Sequence, residues 1–223
     1  MTGIAPGPPS PTRPVPHPGV ITAGPADTDA LCQVIAEAFL HLPPSRWLIG
    51  DPAARRAVFP SYFAIHVEHA LATGVVHTTP GRTAAALWLP VSASGPAPPA
   101  GYDARLAAAT GRWHTAFTAF DATLDRHHPA GAAHHHLALL AVHPDHQGQG
   151  TGSLLLAAHH AALDHEGIPA YLEAATVRTR RLYTRCGYVA RSDAPIQLPG
   201  DGPLMWPMWR EPYQHPLKQP VLP

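Results

Sequence analysis

Between residues 142 and 153 the chain reads Val-His-Pro-Asp-His-Gln-Gly-Gln-Gly-Thr-Gly-Ser, with glycine at positions 148, 150 and 152. An apolar run, His136–Val142, precedes it and predicts a buried central strand. Behind it, Leu154, Leu155, Ala158, Ala162 and Leu163 predict a helix over Thr151–His165. Alternate glycines at a strand-to-helix junction clear side chains from the helix entrance. The backbone can then approach a bulky anion, and the first-turn N–H groups and the helix dipole point at it. Such a turn suits a pyrophosphate. A Rossmann loop shares this placement, but here the turn comes late and its order is Q-x-x-G-x-G. No acidic residue closes a following strand in a G-x-G-x-x-G unit.

Composition removes other chemistries. Lys+Arg and Asp+Glu are both 15, so the chain lacks the basic excess of a phosphate-gripping nucleic-acid binder. No apolar run approaches the roughly 20 residues of a membrane span. Lys218 is the only lysine, which removes a Schiff-base lysine from the body of the chain and, with it, any GK[ST] phosphate loop. Cys32 and Cys186 belong to no C-x-x-C motif. Seven prolines between Pro6 and Pro18 leave no hydrophobic signal region, so a cytoplasmic setting is expected.

The pattern predicts one mixed α/β domain over residues 19–211, between a Pro/Gly-rich disordered tail (1–18) and a C-terminal tail (212–223). Expected are a short strand at 19–23, a helix from Asp27 to Leu40 stopped by Leu42–Pro43–Pro44, and a helix from Pro52 to Ala72 interrupted near Pro60. A hairpin follows, Val75–Thr79 and Thr83–Val91, then one helix from Tyr102 to His127 with Trp113, Phe117, Phe120 and Leu124 on its apolar face. After the glycine turn come a strand at 170–174, a short helix at 177–186, a strand at 188–191 and a last strand at 204–209.

Gln147, Gly150 and Gly152 fit the motif [QR]-x-x-G-x-[GA], and Tyr183-Thr-Arg-Cys-Gly187-Tyr188 fits Y-x-x-x-G-[FY]. The two together, in this order, resemble the GNAT superfamily of acyl-CoA-dependent N-acyltransferases. Val142–Gly148 and Ile168–Ala174 look like the corresponding pieces of the puromycin N-acetyltransferase-like group. The resemblance implies a single GNAT-type α/β domain with splayed central strands flanked by helices, and an N-acetyltransferase with acetyl-CoA as co-substrate. It also implies a small-molecule amine acceptor, antibiotic-like or amino-acid-derived, with antibiotic resistance as one setting for such an activity. No metal, nucleic acid or membrane partner is expected, and the protein is expected as a monomer or homodimer.

By the same resemblance, Gln147, Gly148, Gln149, Gly150, Thr151, Gly152 and Ser153 would bind the pyrophosphate. Leu140, Ala141 and Val142 would lend backbone groups to the pantetheine and polarise the thioester carbonyl. Many members place Asn in the loop before the short helix; here Thr179 or Arg178 would have to substitute. Tyr183 resembles the acid that protonates the departing thiolate. Glu173 is the first candidate base, with His143, His136 or a water chain as alternatives. A non-catalytic acyl-CoA-binding module, acting as sensor or partner, is the competing reading.

For the acceptor, Trp47, Tyr62, His66 and Trp88 are the expected lining. The face carrying Tyr62, His66 and His69 has only Glu68 nearby, which argues against a polycationic acceptor. The histidine-rich stretches lack H-E-x-x-H; His134 and His136 are expected on one side of their strand and His135 on the other, and the loop histidines are expected to be solvated. Cys186 is expected as a small buried hydrophobe.

Overall fold

The computed structural model describes residues 19–213. The tail expected over 1–18, and that over 212–223 beyond its first two residues, lie outside the described residues.

Strand β1 (Ile21–Thr22) leads into α1 (Thr28–Phe39), which buries Leu31, Val34 and Ile35 at helical spacing. Helix α1 ends before Leu42–Pro43–Pro44 as expected, and the two prolines also open a further short helix, α2 (Pro43–Leu48). Proline is tolerated there because first-turn N–H groups have no intrahelical partner. Asp51 caps α3 (Pro52–Thr73) by accepting from the N–H groups of Ala53 and Ala54. The expected interruption near Pro60 does not occur: α3 runs through it.

The hairpin β2 (Val75–Thr78) and β3 (Ala84–Val91) forms as expected. Beyond it, the single expected helix is two, α4 (Tyr102–Thr110) and α5 (His114–His127). They are separated at Gly111, whose φ of 50° leaves the right-handed helical region. Then follow β4 (His134–Val142), α6 (Thr151–Glu166), β5 (Ala170–Ala174) and α7 (Val177–Arg185). The chain closes with β6 (Val189–Ala190), β7 (Ile196–Gln197) and β8 (Leu204–Arg210).

The sheet order is β1-β2-β3-β4-β5-β8-β6, with β7 paired to β8. Every pairing is antiparallel except β4 with β5. Helices α1, α3 and α5 cover one face, packing on Ala85, Leu87 and Ala141. On the other face, α6 and Tyr183 of α7 pack on Ala84, Ala86, Trp88 and Leu137.

Two irregularities in β4 position the site. Against β3, Leu137 pairs with Trp88 and Leu139 with Leu87, which leaves Ala138 as an extra residue, a β-bulge. The bulge resets the alternation of faces: Leu137 joins the α6 side, then Leu139 and Ala141 pack on the α1/α3 side. Against β5, pairing consists of His135 with Ala170 and His136 with Tyr171 and goes no further. From Leu137 onward the two parallel strands diverge, leaving an open edge of β4 in the middle of the sheet.

Candidate active site

The glycine turn lies at one end of this open edge. Pro144–His146 forms one turn of 3-10 helix, and Gly148 (φ 79°) and Gly150 (φ 84°) take the left-handed conformation before α6 begins. Both glycines face open space. Gln147 does not reach outward: its Nε2 donates to the Val142 carbonyl at 3.0 Å and ties the turn to the strand it leaves. The N–H of Leu154 bonds Gly150 O, so those of Thr151, Gly152 and Ser153 precede the first intrahelical bond and are free for an anion. Gly152 points inward, in ordinary contact range of Leu140, Val142 and Leu182.

On the α1/α3 side, the edge opens onto a cavity of about 580 Å³. Residues 137–140 of β4 form part of its wall, with Glu173 of β5, and Thr179 and Tyr183 of α7. Helix α3 adds Tyr62 and His66, α4 adds Tyr102, and α5 adds Phe120, Asp121, Leu124 and Asp125. Pro96–Pro99 completes it.

Glu173 is 7% exposed at its side chain, with Oε2 at 3.0 Å from His136 Nε2. Its Oε1 is buried and faces the equally buried Tyr171 hydroxyl. Burial pushes this carboxyl up, but the His136 imidazole hydrogen-bonded to it, with smaller help from His128 and the Tyr171 hydroxyl, holds it below its ordinary value. Tyr183 is buried, which raises its hydroxyl above the usual phenol range. Among the described residues that hydroxyl has no hydrogen-bond partner. Thr179 closes a capping box with Thr176 at the start of α7, so its hydroxyl is already engaged as it lines the cavity.

Of the expected acceptor residues, Tyr62 and His66 meet at the cavity with ring centroids 4.9 Å apart. Trp88 does not reach it. It is fully buried on the opposite face of β3, stacked on His159 at 4.2 Å, while its neighbour Leu89 lines the cavity. Trp47 also stays outside the lining, its Nε1 donating to Pro199 O at 3.2 Å. Glu68 is exposed and paired with Arg105 at 2.6 Å. The acids that matter are Asp121 and Asp125, which sequence reasoning missed. Their signal was there: a carboxylate pair one turn apart, beside the Phe117–Phe120–Leu124 stripe.

The strand histidines alternate between the two faces of β4. His135 and His77 flank His159 at 3.0 and 3.1 Å, a buried imidazole chain between β4, α6 and β2. His134 and His136 point the other way, and His128 Nε2 lies 3.1 Å from His134 Nε2. One ligating atom each of His128, His136 and Glu173 lie within 4.8 Å of one another. Cys186 is half-buried, packed against the α6-side core.

Residues 113–190 match the family described as acetyltransferase (GNAT) domain. Among solved structures, the chain is similar to a protein described as histone acetyltransferase HPA2 and related acetyltransferase from Corynebacterium glutamicum. That match has 26% identity and a TM-score of 0.65, covering 91% of this chain and 98% of the other. The fold is also that of arylalkylamine N-acetyltransferase 2 from Aedes aegypti, at 11% identity and a TM-score of 0.56, covering 87% and 98% of the two chains. A GCN5-related N-acetyltransferase from Rhodopseudomonas palustris shares it at 13% identity and a TM-score of 0.51, covering 86% and 94%.

Proposed function

We propose that this chain, a GNAT-type N-acetyltransferase by its domain and its fold, transfers the acetyl group of acetyl-CoA directly to a primary amine of a small molecule. The observation that carries the reading is convergence. The open edge of β4 leads from the glycine turn to a cavity that also holds Glu173 and Tyr183. A cavity of about 580 Å³ favours a small acceptor, as does the likeness of Val142–Gly148 and Ile168–Ala174 to the puromycin N-acetyltransferase-like group.

In this reading the pyrophosphate of acetyl-CoA rests on the N–H groups of residues 151–153 and the pantetheine runs along the edge of Leu140–Val142. A β4 N–H polarises the thioester carbonyl. The acceptor arrives as an ammonium ion and gives up a proton to Glu173. His136, on the other carboxylate oxygen and partly exposed, carries that proton toward solvent. The freed amine bonds to the carbonyl carbon, the C–S bond breaks, and the thiolate takes the Tyr183 proton. Loss of the second amine proton yields the amide and restores the tyrosine through solvent. Holding both reactants against one strand edge supplies much of the acceleration.

No helix among the described residues is long and apolar enough to cross a membrane. The test is a panel of primary amines with acetyl-CoA, scored by free thiol release and by mass of the acetylated amine. Matched release and acetylation are expected. Acetyl-CoA binding with no transfer to any amine would favour the non-catalytic module.

A further inference from the structure

The chemistry above uses one carboxylate, yet the cavity holds three. Asp121 and Asp125 stand one turn apart on α5, about 6 Å along the helix axis, and line the same cavity as Glu173. No Lys or Arg lines it, and neither aspartate takes part in an ion pair among the described residues. The Tyr102 hydroxyl donates to Asp121 Oδ2 at 2.7 Å. Of the three lining histidines, His136 is engaged with Glu173 Oε2 at 3.0 Å, and burial pushes His66 and His128 down to about 4, leaving them neutral near pH 7. Burial pushes the Asp121 carboxyl up to about 6, with the Tyr102 hydrogen bond opposing and Asp125 adding to the rise. Above that pH Asp121 is an anion with no cation beside it, and such a group is costly until one arrives.

A second observation from a different element points the same way. Glu173, on β5, lines the same cavity with a buried Oε1 that no cation meets; its neighbour there is the neutral Tyr171 hydroxyl. The cavity therefore has two anionic regions, Glu173 at the reacting edge and, on α5, half-buried Asp121 with the exposed Asp125 one turn on. Tyr62, Phe120 and Leu124 give it apolar walls. That distribution reverses the expectation drawn from Glu68. We infer that the acceptor is a small dication: a primary amine that reacts beside Glu173, an apolar spacer, and a second ammonium or guanidinium held by Asp121 and Asp125. This rests on the acetyltransferase reading for the reacting end only; the second-cation subsite stands on the cavity's own charges.

The test compares α,ω-diaminoalkanes with monoaminoalkanes of the same chain length. The wild-type protein is expected to favour the best diamine by at least about tenfold in kcat/KM, and Asp121→Asn to bring that ratio toward one. Asp125→Asn gives the same reading should Asp121→Asn fail to fold, with acetyl-CoA affinity as the check on folding. Calorimetric binding of the same diamine, without acetyl-CoA, reads the subsite independently of turnover. Diamine binding that Asp121→Asn weakens, with no amine acetylated, would sustain the subsite and overturn the proposed transfer. Acetylation without diamine preference, or a preference intact in both variants, would overturn the subsite. Neither binding nor acetylation of any amine would overturn both.

Discussion

The glycine turn and the cavity meet at β4, yet they are made of different material. The turn offers backbone: left-handed glycines facing open space and N–H groups at a helix start. The cavity offers side chains, collected from α3, α4, α5, β5 and α7. A site made of backbone needs particular residues at fixed spacing, because only glycine adopts those conformations readily. A site made of side chains needs only that several elements deliver them to one place. The first kind leaves a motif in the sequence, and the second leaves scattered residues that look like core.

The sharpest break of this comparison lies where the halves join. Tyr183→Phe keeps the ring and removes the hydroxyl, so kcat is expected to fall by ~10²–10⁴-fold with acetyl-CoA affinity preserved. Glu173→Gln is expected to lower kcat in the same direction but less, because water can relay the proton. A Tyr183→Phe kcat within about twofold of wild type, with chemistry limiting, would make Tyr183 structural.

The turn is tested by charge alone. Gly150→Asn and Gly150→Asp are nearly isosteric, and both side chains tolerate the left-handed conformation better than most. The aspartate should weaken acetyl-CoA at least about tenfold more than the asparagine, about 1.4 kcal/mol, through repulsion of the pyrophosphate. Equal affinities by calorimetry would move the anion elsewhere.

The cavity is tested by pH. Tyr62 of α3 and Tyr102 of α4 face Asp121, and Asp125 faces it from its own helix; His66, which lines the same cavity, stays neutral until about 4. Asp121 protonates as pH falls through about 6 and loses its charge, so the preference for diamines over monoamines should shrink below that pH. Taking the ratio cancels changes common to both amines, including those at Glu173. A ratio flat from pH 7.5 to 5 would contradict the role of Asp121.

The smallest effects separate lining from scaffold. Tyr62→Leu should raise acceptor KM roughly three- to tenfold, the worth of one or two aromatic contacts, while leaving acetyl-CoA affinity unchanged. Trp47→Ala should leave acceptor KM within about twofold and lower Tm instead, since Trp47 bonds Pro199 and packs outside the cavity. The reverse pattern would return Trp47 to the acceptor site.

The same contrast explains what could be read in advance. The strand–turn–helix of residues 136–165 and the Tyr183–Tyr188 ending were legible because glycine and proline punctuate them. Proline was read correctly as the end of α1, but α2, which Pro43 and Pro44 begin, was not foreseen, and Pro60 lies within α3 without interrupting it. Trp88 was misplaced because alternation along β3 separates two faces without saying which one meets the cavity. Asp121 and Asp125 were missed for a related reason: carboxylates beside an apolar stripe read as its solvated flank. Only the packing of α5 against α4 and α2 turns Asp121 inward, while Asp125 stays exposed at the cavity wall.

Initial velocities measured with both substrates varied test most directly that the two halves serve one reaction. Direct attack across the β4 edge requires acetyl-CoA and amine to be bound together. Double-reciprocal lines should therefore intersect, and intact-protein mass after incubation with acetyl-CoA alone should show no acetyl adduct. Parallel lines with an acetylated protein intermediate would contradict the account, placing a covalent step where the structure offers a shared edge.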